Sequence, residues 1–342
     1  MTIPQPSKRF VLLDGARGIA AFGVLALHLY LGKYKFYYGA NIFVDFFFVL
    51  SGFVLAPQIL GNTRDIRRFI IKRIIRLWPA LLPVFIFIYA REKQNFFQPL
   101  DNTPVSYTLW AYLGSFLLLQ VYSNSFCVNY PIWSLSSEVL ANLVATSFKK
   151  IDKNLNIFIF ISGVLLFITL ALNDLLSLNW EITEYAIAAL RGCLGFFLGL
   201  KLRQTKADDK VETNSIRLLF GSVSFLTVFL LIPISSYFLI LAPFTCVVLI
   251  EELSKMELSL EKIQTKRLML YLGRISYGVY IWHVPLVGFQ RHIQSLVPGY
   301  EEILNSHICS FILQISVILF ATEVTIRIFE RPIQKFAIEK FL

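Results

Sequence analysis

The sequence predicts an all-α polytopic membrane protein, a single bundle of about ten transmembrane helices, and three observations lead there. Hydrophobic residues make up 56% of the 342 positions and charged residues only 16%, with a mean hydropathy of +0.64. Soluble domains carry about 25% charged residues. The apolar residues gather in runs of roughly 20, the length that crosses a hydrocarbon core about 30 Å thick. The net charge of +10 sits in the segments between those runs, which is the positive-inside pattern of a membrane protein and not a nucleic-acid-binding surface. The four cysteines, Cys127, Cys193, Cys246 and Cys309, lack CxxC or Cys/His spacing. Neither a disulfide framework nor a metal site is expected from them.

In chain order, Lys8 and Arg9 precede the first span, Leu12 to Leu31, and place the N-terminus in the cytoplasm. Nothing resembling a cleavage site follows this run, so it reads as a retained span. A short loop with Lys33 and Lys35 leads to span 2, Ile42 to Leu60. The densest basic run follows (Arg64, Arg67, Arg68, Lys72, Arg73, Arg76), ahead of span 3 at Leu77 to Ala90 with Pro79 and Pro83 near its start. Two apolar stretches then compete, Val105 to Tyr122 and Ile132 to Phe148. If both crossed, Lys149, Lys150, Lys153 and most later basic loops would lie outside. Crossing by the second alone keeps them inside, and leaves 105–122 as a re-entrant or interfacial segment covered by protein. The later spans fall at 155–172, 184–201, 216–232, 236–252, 269–290 and 307–329, with both termini cytoplasmic. No internal repeat stands out, and the expected organisation is one integral-membrane domain over 1–342 with no soluble domain appended.

Span 1 is apolar enough to enter a bilayer, yet it carries Asp14, Arg17 and His28. Arg17 and His28 are eleven residues apart, close to three whole turns, so both project from one face, about 16 Å apart along the axis. Ionisable groups inside a membrane are costly and are functional candidates by default. The plainer reading is a satisfied core histidine beside an Asp14–Arg17 pair that fixes helix packing. A second cluster, Pro131-Ile-Trp133-Ser134-Leu-Ser136-Ser137-Glu138, begins span 4. Ser134 and Glu138 share a face, and a carboxylate there can orient an imidazole or bind a sugar hydroxyl. A capping box accounts for the same pair, although its spacing is one residue too long.

A third cluster spans Ser276 to Pro285, where Ser276, Tyr280 and His283 recur at helical spacing. An interfacial aromatic belt explains Tyr280 and Trp282 there but not His283. Positive-inside anchoring accounts for most of the run 64–76, whereas Arg73 and Arg76 are neighbours on one helix face close to the membrane. Paired guanidinium forks match phosphate oxygens. No GxGxxG or GxxxxGK[ST] loop is present to hold a nucleotide in the strand-turn-helix way.

Taken together these pieces resemble the integral-membrane acyltransferase 3 family. The likeness rests on Leu13-Asp14-Gly15-Ala16-Arg17-Gly18 leading to His28, and on Val44-Asp45-Phe46-Phe47-Phe48-Val49-Leu50-Ser51-Gly52-Phe53. It continues through Arg73-Ile-Ile-Arg76 followed by Pro79, Pro131-Ile-Trp133-Ser134-Leu135-Ser136-Ser137-Glu138, Ile275 to Pro285, and Phe329-Glu330-Arg331-Pro332. These six motifs stand in the family's order from position 13 to 332.

The resemblance implies transfer of an acyl group, commonly acetyl from acetyl-CoA, to hydroxyls of sugars in envelope polysaccharides, lipids or small glycosides. It implies that His28 is the essential span-1 histidine and Arg17 its partner arginine. Arg73 and Arg76 would engage the acyl donor, and Glu138 would be the acidic residue of the Trp-Ser-Leu motif. Lys72 stands where many members have arginine, and the carboxy-terminal hydrolase-like domain of some relatives is not expected here. The mechanism expected is capture of acyl-CoA from the cytoplasm by Arg73 and Arg76, with Arg17 nearby. His28 then serves as base toward the acceptor hydroxyl, or as a transient acyl carrier.

Asp14, Asp45, Ser51, Trp133, Ser134, Tyr280 and His283 are the supporting or acceptor-site candidates, Glu138 is placed with His28 in catalysis, and no metal is called for. Lipopolysaccharide, exopolysaccharide or a glycolipid are the acceptors such a chain would meet at the outer face of a bacterial cytoplasmic membrane. The rival class is a transporter or flippase, whose broken helices would be supplied at Pro79, Pro83, Pro131, Pro243 and Pro285. A membrane scaffold would not need His28, Glu138 and Arg17 within the bilayer.

Overall fold

A computed structural model describes residues 10–30, 39, 41–61, 65–93, 108–123, 127–148, 150–176, 180–205, 215–256, 263–296 and 307–341. The regular structure among them is all helical: α1 (Val11–Tyr30), α2 (Asn41–Leu60), α3 (Ile66–Lys93), α4 (Leu109–Phe116), α5 (Trp133–Ser147) and α6 (Ile151–Leu176) come first. They are followed by α7 (Trp180–Thr205), α8 (Ser215–Leu231), α9 (Ala242–Met256), α10 (Ile263–Leu296), α11 (His307–Val324) and α12 (Arg331–Phe341). A π-helical turn, Thr325–Glu330, joins α11 to α12.

Among the described residues, helix makes up most of every stretch from which a span was expected. Five, namely Ile42–Leu60, Ile151–Leu175, Thr183–Thr205, Ser236–Met256 and Phe311–Phe341, are long and apolar enough to cross a membrane by length and composition. The protein is therefore a polytopic helical membrane protein. The segment left as re-entrant or interfacial holds α4, whose eight residues extend only about 12 Å and do not cross a core of about 30 Å. Thr108 caps it by accepting from Ala111 N at 3.2 Å, and Phe85 of α3 meets Phe116 edge to face.

The prolines offered as helix breaks under the transporter reading include three that lie within continuous helices. Pro79 and Pro83 lie inside the 28-residue α3, and Pro285 lies inside the 34-residue α10. Residues 66–76 of the basic run and span 3 form one helix, so Arg73 and Arg76 are carried on a continuous rod into the bundle. A proline frees the carbonyl four residues before it. For Pro285 that carbonyl belongs to Ile281, and Asn129 Nδ2 donates to it at 3.0 Å. The helix stays whole because a side chain takes the vacated bond. The broken helices of a transporter are not found at these three positions.

Two helix pairs centre the bundle, α1 on α10 and α2 on α7. Their close approach depends on glycine. A Cβ at Gly52 would overlap the Phe196 carbonyl, and one at Gly199 would overlap the Val49 carbonyl, so α2 and α7 meet backbone to backbone. Small residues permit this packing where lipid supplies no hydrophobic drive between helices. The α1–α10 contact sets Arg17 and His28 of one helix beside Ser276, Tyr280 and His283 of the other.

Candidate active site

The basic start of α3 and the start of α1 meet in a cavity of about 620 Å³. Arg17, Lys72, Arg73 and Arg76 line it together with Asp14, Ser51, Ser134, Glu138, Ser276, Tyr277 and Tyr280. Arg17 is tied to α10, its Nε donating to Ser276 Oγ at 3.0 Å and its Nη2 to Gly273 O at 2.5 Å. Asp14 stands 3.7 Å from it. Arg73 is ion-paired to Glu138, and Ser51 Oγ donates to the same carboxylate at 2.5 Å. Arg76 Nη1 pairs with Glu330 Oε1 at 3.0 Å, and Gln334 Nε2 donates to that oxygen at 3.1 Å. Arg76 remains 41% exposed while Glu330 is only 8% exposed. Each guanidinium is thus aimed by a partner less exposed than itself.

The sequence reading placed Glu138 with His28. The structure brings Glu138 to Arg73 and Ser51, and brings His28 to His283. The capping-box alternative does not describe α5. Ser134 Oγ donates to Pro131 O at 3.2 Å and lies 2.8 Å from the Tyr280 hydroxyl, which donates to the same carbonyl at 3.0 Å. Tyr277 of the neighbouring turn donates to Leu77 O at 2.9 Å, pinning α10 to α3.

His28 Nδ1 lies 2.9 Å from Val24 O. A carbonyl oxygen only accepts, so Nδ1 carries the hydrogen and Nε2 of the neutral ring keeps its lone pair. His283 repeats the arrangement, with Nδ1 2.6 Å from Tyr280 O. It is fully buried, and its Nε2 has no hydrogen-bond partner among the described residues. The two rings are 4.7 Å apart between centroids at 69°. Both imidazoles are held in the tautomer a base requires.

His28 lines a second cavity, of about 160 Å³, together with Tyr130, Pro131, Trp133, Asn173, Glu184, Arg191 and Tyr280. Tyr280 borders both cavities. Asp45 receives Arg191 through two bonds, Nε to Oδ1 at 3.2 Å and Nη2 to Oδ2 at 2.8 Å, and the pair is 0% and 4% exposed. The Arg191 guanidinium also stands 5.7 Å from the centre of the Trp133 ring. Among the described residues no group of three His, Cys, Asp or Glu side chains could hold a metal ion.

Sequence reasoning missed two residues of this constellation. Arg191 interrupts the apolar run 184–201, and an arginine within a span was itself the signal. Glu330 sat in a quoted motif without a role, because its partner Arg76 is 254 positions away.

The model of the acyltransferase 3 domain matches residues 10–323. The chain is 26% identical to the peptidoglycan O-acetyltransferase OatA of Listeria monocytogenes, the match covering 96% of this chain and 56% of that protein. It is 23% identical to the O-acetyltransferase OatA of Staphylococcus aureus, over 96% of this chain and 58% of the relative. The chain spans a little over half the length of these relatives. No solved structure matches it. With the arginine pair, the span-1 histidine and the Trp-Ser-Leu segment all held on one helical framework, the chain belongs to the acyltransferase 3 family.

Proposed function

We propose that the protein is an integral-membrane O-acetyltransferase of the bacterial cytoplasmic membrane. It moves an acyl group, acetyl in the first instance, from cytoplasmic acyl-CoA to a hydroxyl of a carbohydrate or glycolipid at the outer side. One observation carries the reading. A single helix, α1, presents Arg17 to the arginine-lined cavity and His28, with its Nε2 lone pair, to the second cavity, about 16 Å further along. The names of the two relatives, one of them a peptidoglycan O-acetyltransferase, support a carbohydrate acceptor. In this reading ten helices cross, both termini are cytoplasmic, and residues 1–342 act as one membrane domain.

Arg73 and Arg76 receive the donor phosphates, which suit planar paired forks, with Lys72 and Arg17 adding charge. Glu138 and Glu330 keep those forks oriented before the donor arrives. The acyl thioester is drawn past Tyr280 toward His28. As the acceptor oxygen bonds to the thioester carbonyl carbon, His28 Nε2 takes its proton. The carbon–sulfur bond then breaks and the proton passes to the departing thiolate, returning the imidazole to neutrality. A positioned base of this kind contributes about 10²–10⁴-fold.

Labelled acetyl transfer in membranes carrying His28→Ala and Arg76→Ala tests the proposal. His28→Ala is expected to lower transfer about 10²–10⁴-fold and Arg76→Ala to weaken donor binding. Full transfer by His28→Ala would falsify the assignment of the base.

A further inference from the structure

The two cavities differ in charge, and the difference bears on what the smaller one holds. The larger is lined by four cations against two carboxylates, as an anionic donor requires. In the smaller, Arg191 is neutralised by the Asp45 carboxylate beneath it, and Glu184 adds a negative charge at the mouth. Tyr130 stands there too, 41% exposed and donating to Glu184 Oε1 at 3.1 Å. A phosphate or carboxylate entering would meet Glu184 unfavourably, whereas a neutral, hydroxyl-rich group would meet matched donors and acceptors.

Size and lining narrow the occupant further. About 160 Å³ falls below the 300–1,000 Å³ typical of pockets for drug-sized ligands, so one ring fits and an oligomer does not. Trp133 and Tyr130 put aromatic rings on the cavity wall, surfaces against which the C–H side of such a ring can pack. Glu184, Arg191 and Asn173 offer polar groups to its edge. His28 stands on the same wall.

From these observations, and resting on the acyl-transfer reading above, we infer that the smaller cavity is the acceptor subsite. It takes a single uncharged pyranose residue and sets one hydroxyl of that residue against His28. Glu184 and Tyr130 bind the ring at the mouth. Asp45 is a positioning residue that holds Arg191 against the Trp133 ring. The rest of a glycan chain stays outside, so selectivity is for the residue modified and not for chain length.

Cys127 is a free cysteine on the cavity wall and reports occupancy without any catalysis. In the purified protein, a small methanethiosulfonate reagent is applied and the modified cysteine located by mass spectrometry. Methyl glycosides of glucose, galactose and N-acetylglucosamine serve as competitors. At least one is expected to slow modification of Cys127, and glucose 6-phosphate is expected not to. In Glu184→Gln that protection should weaken about tenfold, as for loss of a hydrogen bond to a charged group.

In cells, the same variant should lower alkali-releasable acetate on the envelope glycans while labelled acetyl-CoA binding to membranes is kept. Absence of protection by all three glycosides, equal protection by the phosphorylated sugar, or parallel loss of acetyl-CoA binding would each overturn the subsite. Sugar protection that survives while membranes carrying the unaltered protein transfer no labelled acetate would instead leave the sugar site standing and remove the function proposed above.

Discussion

The arginine cavity and the histidine cavity are built on opposite electrostatic terms. In the first, each guanidinium is shared between a carboxylate of the protein and open space. Arg76 keeps 41% of its surface beside a Glu330 that is almost buried. In the second, the ion pair of Asp45 and Arg191 is withdrawn from water almost entirely, and the His28 imidazole lies on the wall. A pair with one partner open to water, as Arg76 is beside Glu330, is screened on that side and contributes less to stability. A pair buried on both sides is costly to break, because the survivor is left as an uncompensated charge. The first cavity is therefore suited to releasing its forks to an incoming anion, and the second to holding a fixed shape around a neutral one.

The sharpest way to break this contrast is His28→Ala. Transfer should fall by about 10²–10⁴-fold with acetyl-CoA binding unchanged in a filter-binding assay, because the imidazole belongs to the other cavity. Asp45→Asn comes next and acts on folding. It strands the Arg191 charge and should destabilise the detergent-solubilised protein by about 3–5 kcal/mol. Pairing it with Arg191→Met should recover most of the loss in thermal unfolding.

Arg76→Ala should cost the donor about 1.5–3 kcal/mol, seen as a KM for acetyl-CoA raised roughly tenfold to a hundredfold. The melting temperature should fall by less than for Asp45→Asn, because this pair is open to water on the Arg76 side. Equal unfolding shifts for Arg76→Ala and Asp45→Asn would erase the distinction between the two regions. The smallest effect is expected from Tyr280→Phe, which removes the hydroxyl bonded to Pro131 O and Ser134 at the border of the cavities. About 0.5–1.5 kcal/mol of stability should go, measured in the same unfolding assay.

Much of this was legible in the chain. The spacing of Arg17 and His28 put both on one face of α1, and the structure sets them in successive cavities along that helix. The apolar runs located helices throughout, since a bilayer leaves the backbone few other ways to satisfy its hydrogen bonds. The helix ends were less legible. Pro79, Pro83 and Pro285 read as points where a helix could break because a proline removes one backbone donor, and only the neighbouring side chain of Asn129 reveals how α10 runs on past Pro285.

Glu138 marks the limit of local reasoning. Its spacing from Ser134 suggested a cap, and its place at the start of a span suggested a partner for His28. It turned instead to Arg73 and Ser51, on α3 and α2.

By itself the sequence determined that this chain is a helical membrane protein with costly ionisable groups in chosen places, because hydropathy and the 3.6-residue period are properties of a single stretch. Only the tertiary structure decided who answers those charges: Glu138 for Arg73, Glu330 for Arg76, Asp45 for Arg191, His283 for His28. Each of these partners lies at least 65 positions away. Coulombic attraction and ring contact act over a few ångströms of space, and helix packing sets those distances without regard to separation along the chain.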